Sequence, residues 1–157
     1  MQIVFIGDDH HSYFQEKQVE VLSKRAPDLK TIYWSTIGFQ IFRELDELSA
    51  QEKLFIVASR HGAIPASHWT ARNTEKVRRM VLLHPSLHLN MPGMEAPAPH
   101  FVPTMVLCHN KVDNPSLEDI SDFSGKLFHD YSVHITSEPP ELEASLSLLS
   151  LPTDVTS

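Results

Sequence analysis

The sequence predicts an α/β fold, in which a mostly parallel sheet of about six strands lies between two layers of helices. Short apolar runs typical of strands alternate with segments of helical period along the chain, a pattern that favours a parallel sheet with right-handed crossovers. Several runs are apolar throughout, as expected of strands covered on both faces. The 157 residues suit one domain, which we predict to span residues 1–151, followed by a tail at 152–157.

The first half of the chain contains three strand candidates and three helix candidates. The strand candidates are the apolar runs at residues 3–6, 31–34 and 54–58. The helix candidates lie between and after them, at residues 13–25, 38–48 and 62–71. In the second of these, Phe39, Phe42, Leu45 and Leu48 recur at helical spacing, which predicts one apolar face.

The second half of the chain continues the alternation after an interruption. A strand candidate at 77–83 is followed by residues 86–102, which contain three prolines and show no clear period, and which we interpret as a loop. Residues 103–108, 117–128 and 131–136 then predict a strand, a helix and a strand. A last helix can begin at Pro139 and Pro140, since proline is tolerated in a first turn. Its leucines would pack on the sheet or join two copies in a homodimer.

Composition disfavours several classes of protein. The net charge of −7 argues against nucleic-acid binding, which draws most of its affinity from basic contacts with phosphates. No apolar stretch approaches the roughly 20 residues that span a membrane, and we expect a cytoplasmic protein. The single cysteine, Cys108, lies in an apolar run and is interpreted as a buried small side chain. We expect no cofactor.

Four segments form an ordered series of strand and turn signals: IVFIGDD at 3–9, EKLFIVASRHGA at 52–63, TEKVRRMVLLHP at 74–85 and VPTMVLCHNKVD at 102–113. The series resembles the α/β-hydrolase superfamily. In that comparison the segments are similar, in turn, to the strand before the oxyanion loop, the nucleophile elbow, the strand after the elbow helix and the strand that delivers the catalytic acid. The resemblance implies a minimal member of the fold with strand order 2-1-3-4-5-6.

In the segment that resembles the nucleophile elbow, the residue at the apex is an arginine. The tight strand-to-helix turn needs small residues on both sides of the apex, and Ala58 and Gly62 provide them around Arg60. If Ser59 were the nucleophile instead, the two positions that need small residues would hold Val57 and His61, which are both too large for the turn. We therefore place Arg60 at the apex. It cannot act as a nucleophile, because its guanidinium stays protonated.

The other positions of the catalytic triad that the resemblance implies are only partly matched. Asp113 matches the family acid, but residues 137–141 contain no histidine, and His134 lies inside the last strand candidate. Asp8 and Asp9 occupy the oxyanion region, where a carboxylate would repel a developing negative charge. The sequence thus predicts a degenerate triad, a pseudoenzyme in which the ordinary hydrolase mechanism is lost.

Polar residues that follow the strand candidates are expected to converge in one crevice, because ligands of open α/β sheets bind at the carboxyl ends of the strands. The candidate ligand-binding residues are Asp8, Asp9, His10, Arg60, His61, His84, His109 and Asn110. A guanidinium at this position could grip a carboxylate or phosphate. The competing interpretation pairs Arg60 with Asp8, Asp9 or Asp113 in an internal salt bridge.

The leading hypothesis is therefore a hydrolase-like protein that acts by binding, either a small polar or anionic ligand or a protein partner. The alternative is an esterase or thioesterase that uses Ser59 with His61 or His109 as base. A zinc site of His10, His11, His109 and an aspartate fits no known spacing, and we expect no metal. The loop that carries Met91, Met94, His100 and Phe101 is a candidate partner-binding flap over the crevice.

Overall fold

The computed structural model describes residues 2–8, 13–34, 40–88, 90–112 and 114–136. Within these ranges the chain forms six strands and four helices, and the bounds expected from the sequence agree to within two residues. The last helix expected after Pro139 and the tail at 152–157 lie outside the described residues. In chain order the elements are β1 (Gln2–Asp8), α1 (Tyr13–Arg25), β2 (Lys30–Trp34), α2 (Gln40–Ser49), β3 (Leu54–Ser59), α3 (Ala63–Arg72), β4 (Val77–Leu83), β5 (Thr104–His109), α4 (Leu117–Leu127) and β6 (Tyr131–Thr136).

The six strands form one sheet in the order β2-β1-β3-β4-β5-β6, and every neighbouring pair is parallel. The predicted fold class and strand order are confirmed. The chain passes from β1 to β2 on one side and then crosses back to β3 on the other. A crevice is expected at such a reversal of strand order, so the residues that follow Asp8 and Ser59 should flank it.

Both faces of the sheet are covered, which explains why its central strands are apolar throughout. All six residues of β3 are buried. Alternate strand residues such as Val4 and Ile56 join the larger apolar cluster with side chains of α2, α3 and α4. Their neighbours in sequence, Phe5 and Val57, join a second cluster that includes Leu22 of α1. Helices therefore form a layer on each side of the sheet, as a three-layer sandwich requires.

The connection between β4 and β5 contains no helix or strand in its described part. Its end is attached to the end of α4 and to the connection that follows it, since His100 donates its N–H to the Leu127 carbonyl at 3.2 Å and its carbonyl accepts from the His129 N–H at 2.9 Å. His100 and Phe101 thus lie at the amino ends of β4 and β5. The expectation that these residues form a flap over the crevice is wrong, because the crevice lies at the opposite ends of the strands.

None of the helices in the described ranges has the length and apolar character that crossing a lipid bilayer demands.

Candidate active-site crevice

The turn between β3 and α3 has the geometry of a sharp elbow. Ser59 ends β3, a short 3-10 turn covers Arg60–Gly62, and α3 follows directly. Arg60 has a φ of +54°, in the left-handed region that side-chain-bearing residues seldom adopt. A Cβ on Gly62 would overlap the carbonyl oxygen of Ile6. Only glycine therefore lets the elbow approach β1 this closely, and the turn presents Arg60 at its apex.

Ser59, the alternative nucleophile, lies inside the sheet. Its side chain is 0% exposed, and its hydroxyl has no hydrogen-bond partner among the described residues. Neither His61 nor His109 bonds to it, so no base in the described part of the chain is in position to activate it. A substrate at the surface would not reach its Oγ in this conformation.

Asp8 and His61 form a pair across the switch point. The His61 Nδ1 lies 3.3 Å from the Asp8 Oδ2, and the His61 side chain is 41% exposed while that of Asp8 is 8% exposed. Gln15 of α1 clasps the other side of Asp8: its Nε2 donates to Oδ1 at 2.6 Å, and its Oε1 accepts from the Asp8 N–H at 3.1 Å. The carboxylate is thus directed toward His61 from beneath the surface of the crevice.

Gln15 belongs to the candidate site through its hydrogen bonds with Asp8, and it was not predicted from the sequence. It is 1% exposed, although it lies in a helix with many charged residues. Its amide fits beside β1 because a Cβ on Gly7 would overlap the Gln15 Oε1. The only signal in the sequence was a glycine directly before Asp8, which by itself predicts a turn as readily as a close approach.

His84 and His109 hold the ends of β4 and β5 together. The His84 Nδ1 accepts from the His109 N–H at 3.1 Å, and its Nε2 lies 3.0 Å from the Pro115 carbonyl oxygen. The acceptor role of Nδ1 leaves the proton on Nε2, so His84 is neutral in this arrangement. Burial lowers the pKa of His84; the bond to Pro115 opposes this, and the charges of Arg60 and His109 add to it.

His109 is also engaged locally. It is 7% exposed, and its Nδ1 accepts from the Lys111 N–H at 3.1 Å. Asn110 is exposed, and its N–H donates to the Thr136 carbonyl at 2.9 Å. These two residues and His84 form hydrogen bonds at the rim of the crevice. Two of the histidines that follow the strands therefore have structural roles.

The structure brings Asp8, Arg60, His61, His84 and His109 to the same end of the sheet, as predicted. Asp9, His10, His11 and Asp113 lie outside the described residues, as does the stretch 137–141. His134 lies on β6 with its Nε2 3.2 Å from the Ser132 hydroxyl, and no hydrogen bond joins it to the crevice among the described side chains.

Arg60 makes no ion pair with any carboxylate in the described part of the chain, Asp8 included. Its backbone is nevertheless fixed, since its carbonyl accepts from the Ser86 N–H at 3.0 Å and from the Ala63 N–H. The described ranges also contain no group of three or more histidine, cysteine or acidic side chains able to hold a metal ion. The charge of Arg60 acts on His84 at this end of the sheet, and the His61 side chain there is 41% exposed.

Comparisons with known proteins identify the fold. No protein-family model matches the sequence, and neither does any curated protein. Among solved structures, the chain is similar to the monoacylglycerol lipase of Paleococcus ferrophilus, with 11% identity, a TM-score of 0.71 and an alignment covering 97% of this chain and 95% of that one. An alpha-beta serine hydrolase homologue from Coxiella burnetii is similar at 13% identity and a TM-score of 0.67, covering 96% and 85%.

The mouse alpha/beta hydrolase domain-containing protein 10 also matches at 13% identity and a TM-score of 0.67, with 94% of this chain and 87% of that one covered. At such low identities the likeness shows the fold alone. The chain has the α/β-hydrolase fold, as the sequence resemblance predicted.

Proposed function

We propose that this α/β-hydrolase fold serves as a binding protein, whose crevice takes a small anionic ligand at Arg60. The observation that carries the proposal is the place of Arg60 at the elbow apex, with a φ of +54° and no ion pair among the described side chains. In the fold that the chain shares with hydrolases, this apex aims its side chain at the bound molecule. The residue there brings a fixed positive charge and no nucleophile.

Charge and geometry favour a carboxylate or a phosphate. A guanidinium offers parallel N–H donors that match two oxygens of either group. The ten-residue helix α3 follows the elbow turn, and the positive end of its dipole faces the same space. Asp8 would repel an anion if its charge were exposed. Its side chain is 8% exposed and is engaged by Gln15 and His61, which moderates that repulsion.

The proposal is tested by thermal shift with sodium phosphate, acetate and succinate, against sodium chloride at matched ionic strength. At ten times the Kd a ligand adds about 1.4 kcal/mol of stability, which corresponds to a rise in Tm of about 4 °C. We expect at least one anion to raise the Tm of the wild type. Arg60→Ala should abolish the rise in Tm. Arg60→Lys should weaken it, because lysine keeps the positive charge but lacks the paired N–H donors of the guanidinium.

Arg43→Ala is the matched control, since Arg43 is exposed on α2 and its loss changes the net charge equally. An unchanged Tm for the wild type in all three anions, or an equal rise in Arg60→Ala, would refute the anion site. The carboxylate of a protein partner presents the same group as free acetate. Peptides with free and amidated C-termini separate these sources: a free terminus that binds more tightly than acetate, with loss of binding on amidation, indicates a partner, and one that binds no more tightly indicates a small acid.

Hydrolysis of an ester or thioester is a second candidate, favoured by the pair of Asp8 and His61. A buried carboxylate that accepts from Nδ1 fixes the imidazole tautomer and leaves the Nε2 lone pair as a base. His61 could then activate water. Use of Ser59 as nucleophile is opposed by its complete burial.

A fluorophosphonate probe and 4-nitrophenyl acetate distinguish the two candidates. The binding proposal predicts no labelling and no turnover above the buffer rate. Labelling that disappears in Ser59→Ala would establish the serine hydrolase instead. Turnover without labelling that falls by about a hundredfold or more in His61→Gln would establish water activation by His61, since general base catalysis contributes that much.

A further inference from the structure

The outer edge of β6 is a row of backbone groups with no strand beside it in the described part of the chain. β6 is the last strand of the sheet and pairs with β5 along its inner edge. On that inner edge the carbonyls of Asp130 and Thr136 accept from N–H groups of β5 and of the residue that follows it, each at 2.9 Å. Because the backbone groups of successive strand residues point to opposite sides, the N–H and carbonyl groups of Tyr131, Val133 and Ile135 point outward.

The side chains of these three residues lie on one face of the sheet, since alternate residues of a strand share a face. Val133 packs against the larger apolar cluster, to which α4 contributes. On either side of it, Tyr131 is 39% exposed and Ile135 is 59% exposed. Among the described residues, Phe101 is the only other large apolar side chain that is exposed. The residues of β6 with outward backbone groups therefore also present exposed apolar side chains.

β6 lacks the features by which edge strands usually avoid pairing with another chain, such as a charged side chain, a proline or a bulge. Its sequence YSVHIT contains no proline, lysine or acidic residue, and its register with β5 is regular along its whole length. The opposite edge strand, β2, differs, because it begins with Lys30, and its Ile32 and Trp34 are buried. Of the two edges, that of β6 is therefore the one open to another strand.

The pattern of β6 is complementary to itself. If two copies run antiparallel about a two-fold axis at Val133, then Val133 lies opposite its own copy and Tyr131 lies opposite Ile135 of the second copy. All of these positions present outward backbone groups, as an antiparallel ladder requires, so each pair exchanges two N–H···O bonds. An aromatic and a β-branched side chain then meet on one face, a pairing that stabilises sheets. A register moved by two residues would leave Tyr131 or Ile135 opposite a polar residue.

We propose that the outer edge of β6 binds the same edge of a second copy of this chain, so that the two sheets continue as one. A two-fold interface uses the same patch on both copies, as this register does. Charge does not oppose the contact, because Asp130, the acidic residue that adjoins the strand, lies opposite Thr136 of the second copy. The interface is separate from the anion site, since Arg60 follows β3 in the middle of the sheet.

Sedimentation velocity of the intact chain over a range of concentrations tests the dimer. The six residues of β6 are few beside the roughly 20–30 a side of a stable interface, so we expect a Kd of about 10–500 µM. Ile135→Lys should raise the Kd by about tenfold or more, because two Tyr131 contacts are lost across the axis. Gln51→Lys, which adds the same charge at an exposed turn before β3, should leave the Kd unchanged.

A pair of opposite charges tests the register. In the double variant Tyr131→Glu with Ile135→Lys, each new carboxylate lies opposite a new ammonium of the second copy. We expect its Kd to be at least about fivefold lower than that of Ile135→Lys alone. Tyr131→Lys with Ile135→Lys should not dimerise, because like charges would face each other. Within one strand the two positions are about 13 Å apart, so the charge pair forms only between copies.

Cysteine crosslinking tests the same register by distance. Opposed Cα atoms of a hydrogen-bonded antiparallel pair are about 5.5 Å apart, within the range that a disulfide bridges. Val133→Cys should therefore give a covalent dimer under mild oxidation. Ile135→Cys is the matched control: the position is more exposed, but it lies more than about 13 Å from its own copy in this register. The native Cys108 is buried and should form no crosslink.

A sedimentation coefficient that stays constant up to about 1 mM would refute the dimer. Association as strong in Ile135→Lys as in the wild type, or equal crosslinking of Val133→Cys and Ile135→Cys, would refute the β6 edge as its interface. The charge variants keep the proposal testable if Val133→Cys fails to fold, because the side chains of Tyr131 and Ile135 are exposed.

Discussion

Arg60 combines a strained backbone with a charged side chain. A left-handed conformation costs a residue with a Cβ about 1–2 kcal/mol, and such strain persists only where the surroundings enforce it. Here the enforcement comes from the hydrogen bond between Ser86 N–H and the Arg60 carbonyl, and from the turn that leads into α3. A side chain that stays in so unfavourable a position at the mouth of a crevice is consistent with a role in binding.

The strain at Arg60 predicts an order of stability for two truncations. Arg60→Gly should be more stable than Arg60→Ala by about 1 kcal/mol, because glycine has no Cβ to oppose the positive φ. The measurement is the free energy of unfolding of both variants in urea. If alanine proves equal to glycine or better, the residue does not adopt the apex conformation.

At the scale of elements, the site depends on how closely the elbow approaches β1. The approach brings His61 beside Asp8, and it is possible only because Gly62 has no side chain to meet the Ile6 carbonyl. On the other side of β1, Gly7 makes similar room for Gln15. Two glycines thus set the spacing between three elements that build the Asp8 and His61 pair.

Gly62→Ala should therefore destabilise the protein by about 1–3 kcal/mol, the usual cost of an added methyl group in a packed region. Gly125→Ala is the matched control in α4, where alanine is favoured over glycine by up to about 1 kcal/mol and the new Cβ would approach the Tyr131 hydroxyl at 3.3 Å. Urea unfolding of both variants checks the contrast. Gly62→Ala as stable as the wild type would mean that the elbow does not press against β1.

The elements themselves could be predicted because their signals are local. Apolar runs marked the strands, and Ala58 and Gly62 marked the apex of the elbow. The contact between Asp8 and His61 could not be predicted, because it depends on how closely the elbow approaches β1 at Gly62 and on the Gln15 side chain of α1. The sequence placed Asp8 as an obstacle in an oxyanion loop, as a candidate ligand-binding residue or as a salt-bridge partner of Arg60, whereas Gln15 and His61 engage its charge.

The described part of the chain contains three buried histidines whose pKa values are lowered: His68, His84 and His100. Burial is the largest cause in each case. Since the unfolded chain binds protons near the ordinary value of 6.5 and the folded chain does so only at lower pH, the unfolded state gains protons first as the pH falls. The free energy of unfolding should therefore be constant above the ordinary histidine pKa and decrease as the pH falls below it.

We expect the free energy of unfolding in urea to decrease between about pH 7.5 and about pH 5.5. In His84→Gln the slope should be smaller, because one of the three groups is gone, although the variant is less stable at both pH values. His88→Gln serves as the control for removal of an exposed histidine. A wild-type stability that stays level or rises across this range would contradict neutral burial of the three rings.

Anion binding at Arg60 can be followed by an NMR titration of the ¹⁵N-labelled protein with sodium phosphate and acetate at constant ionic strength. It follows the Arg60 Nε–H and the amides of residues 61–63. We expect saturable shifts of these signals with at least one of the two anions, and their loss from the amides in Arg60→Ala but not in Arg43→Ala. Shifts that never saturate with either anion, or that persist unchanged in Arg60→Ala, would show that the crevice does not bind anions through Arg60.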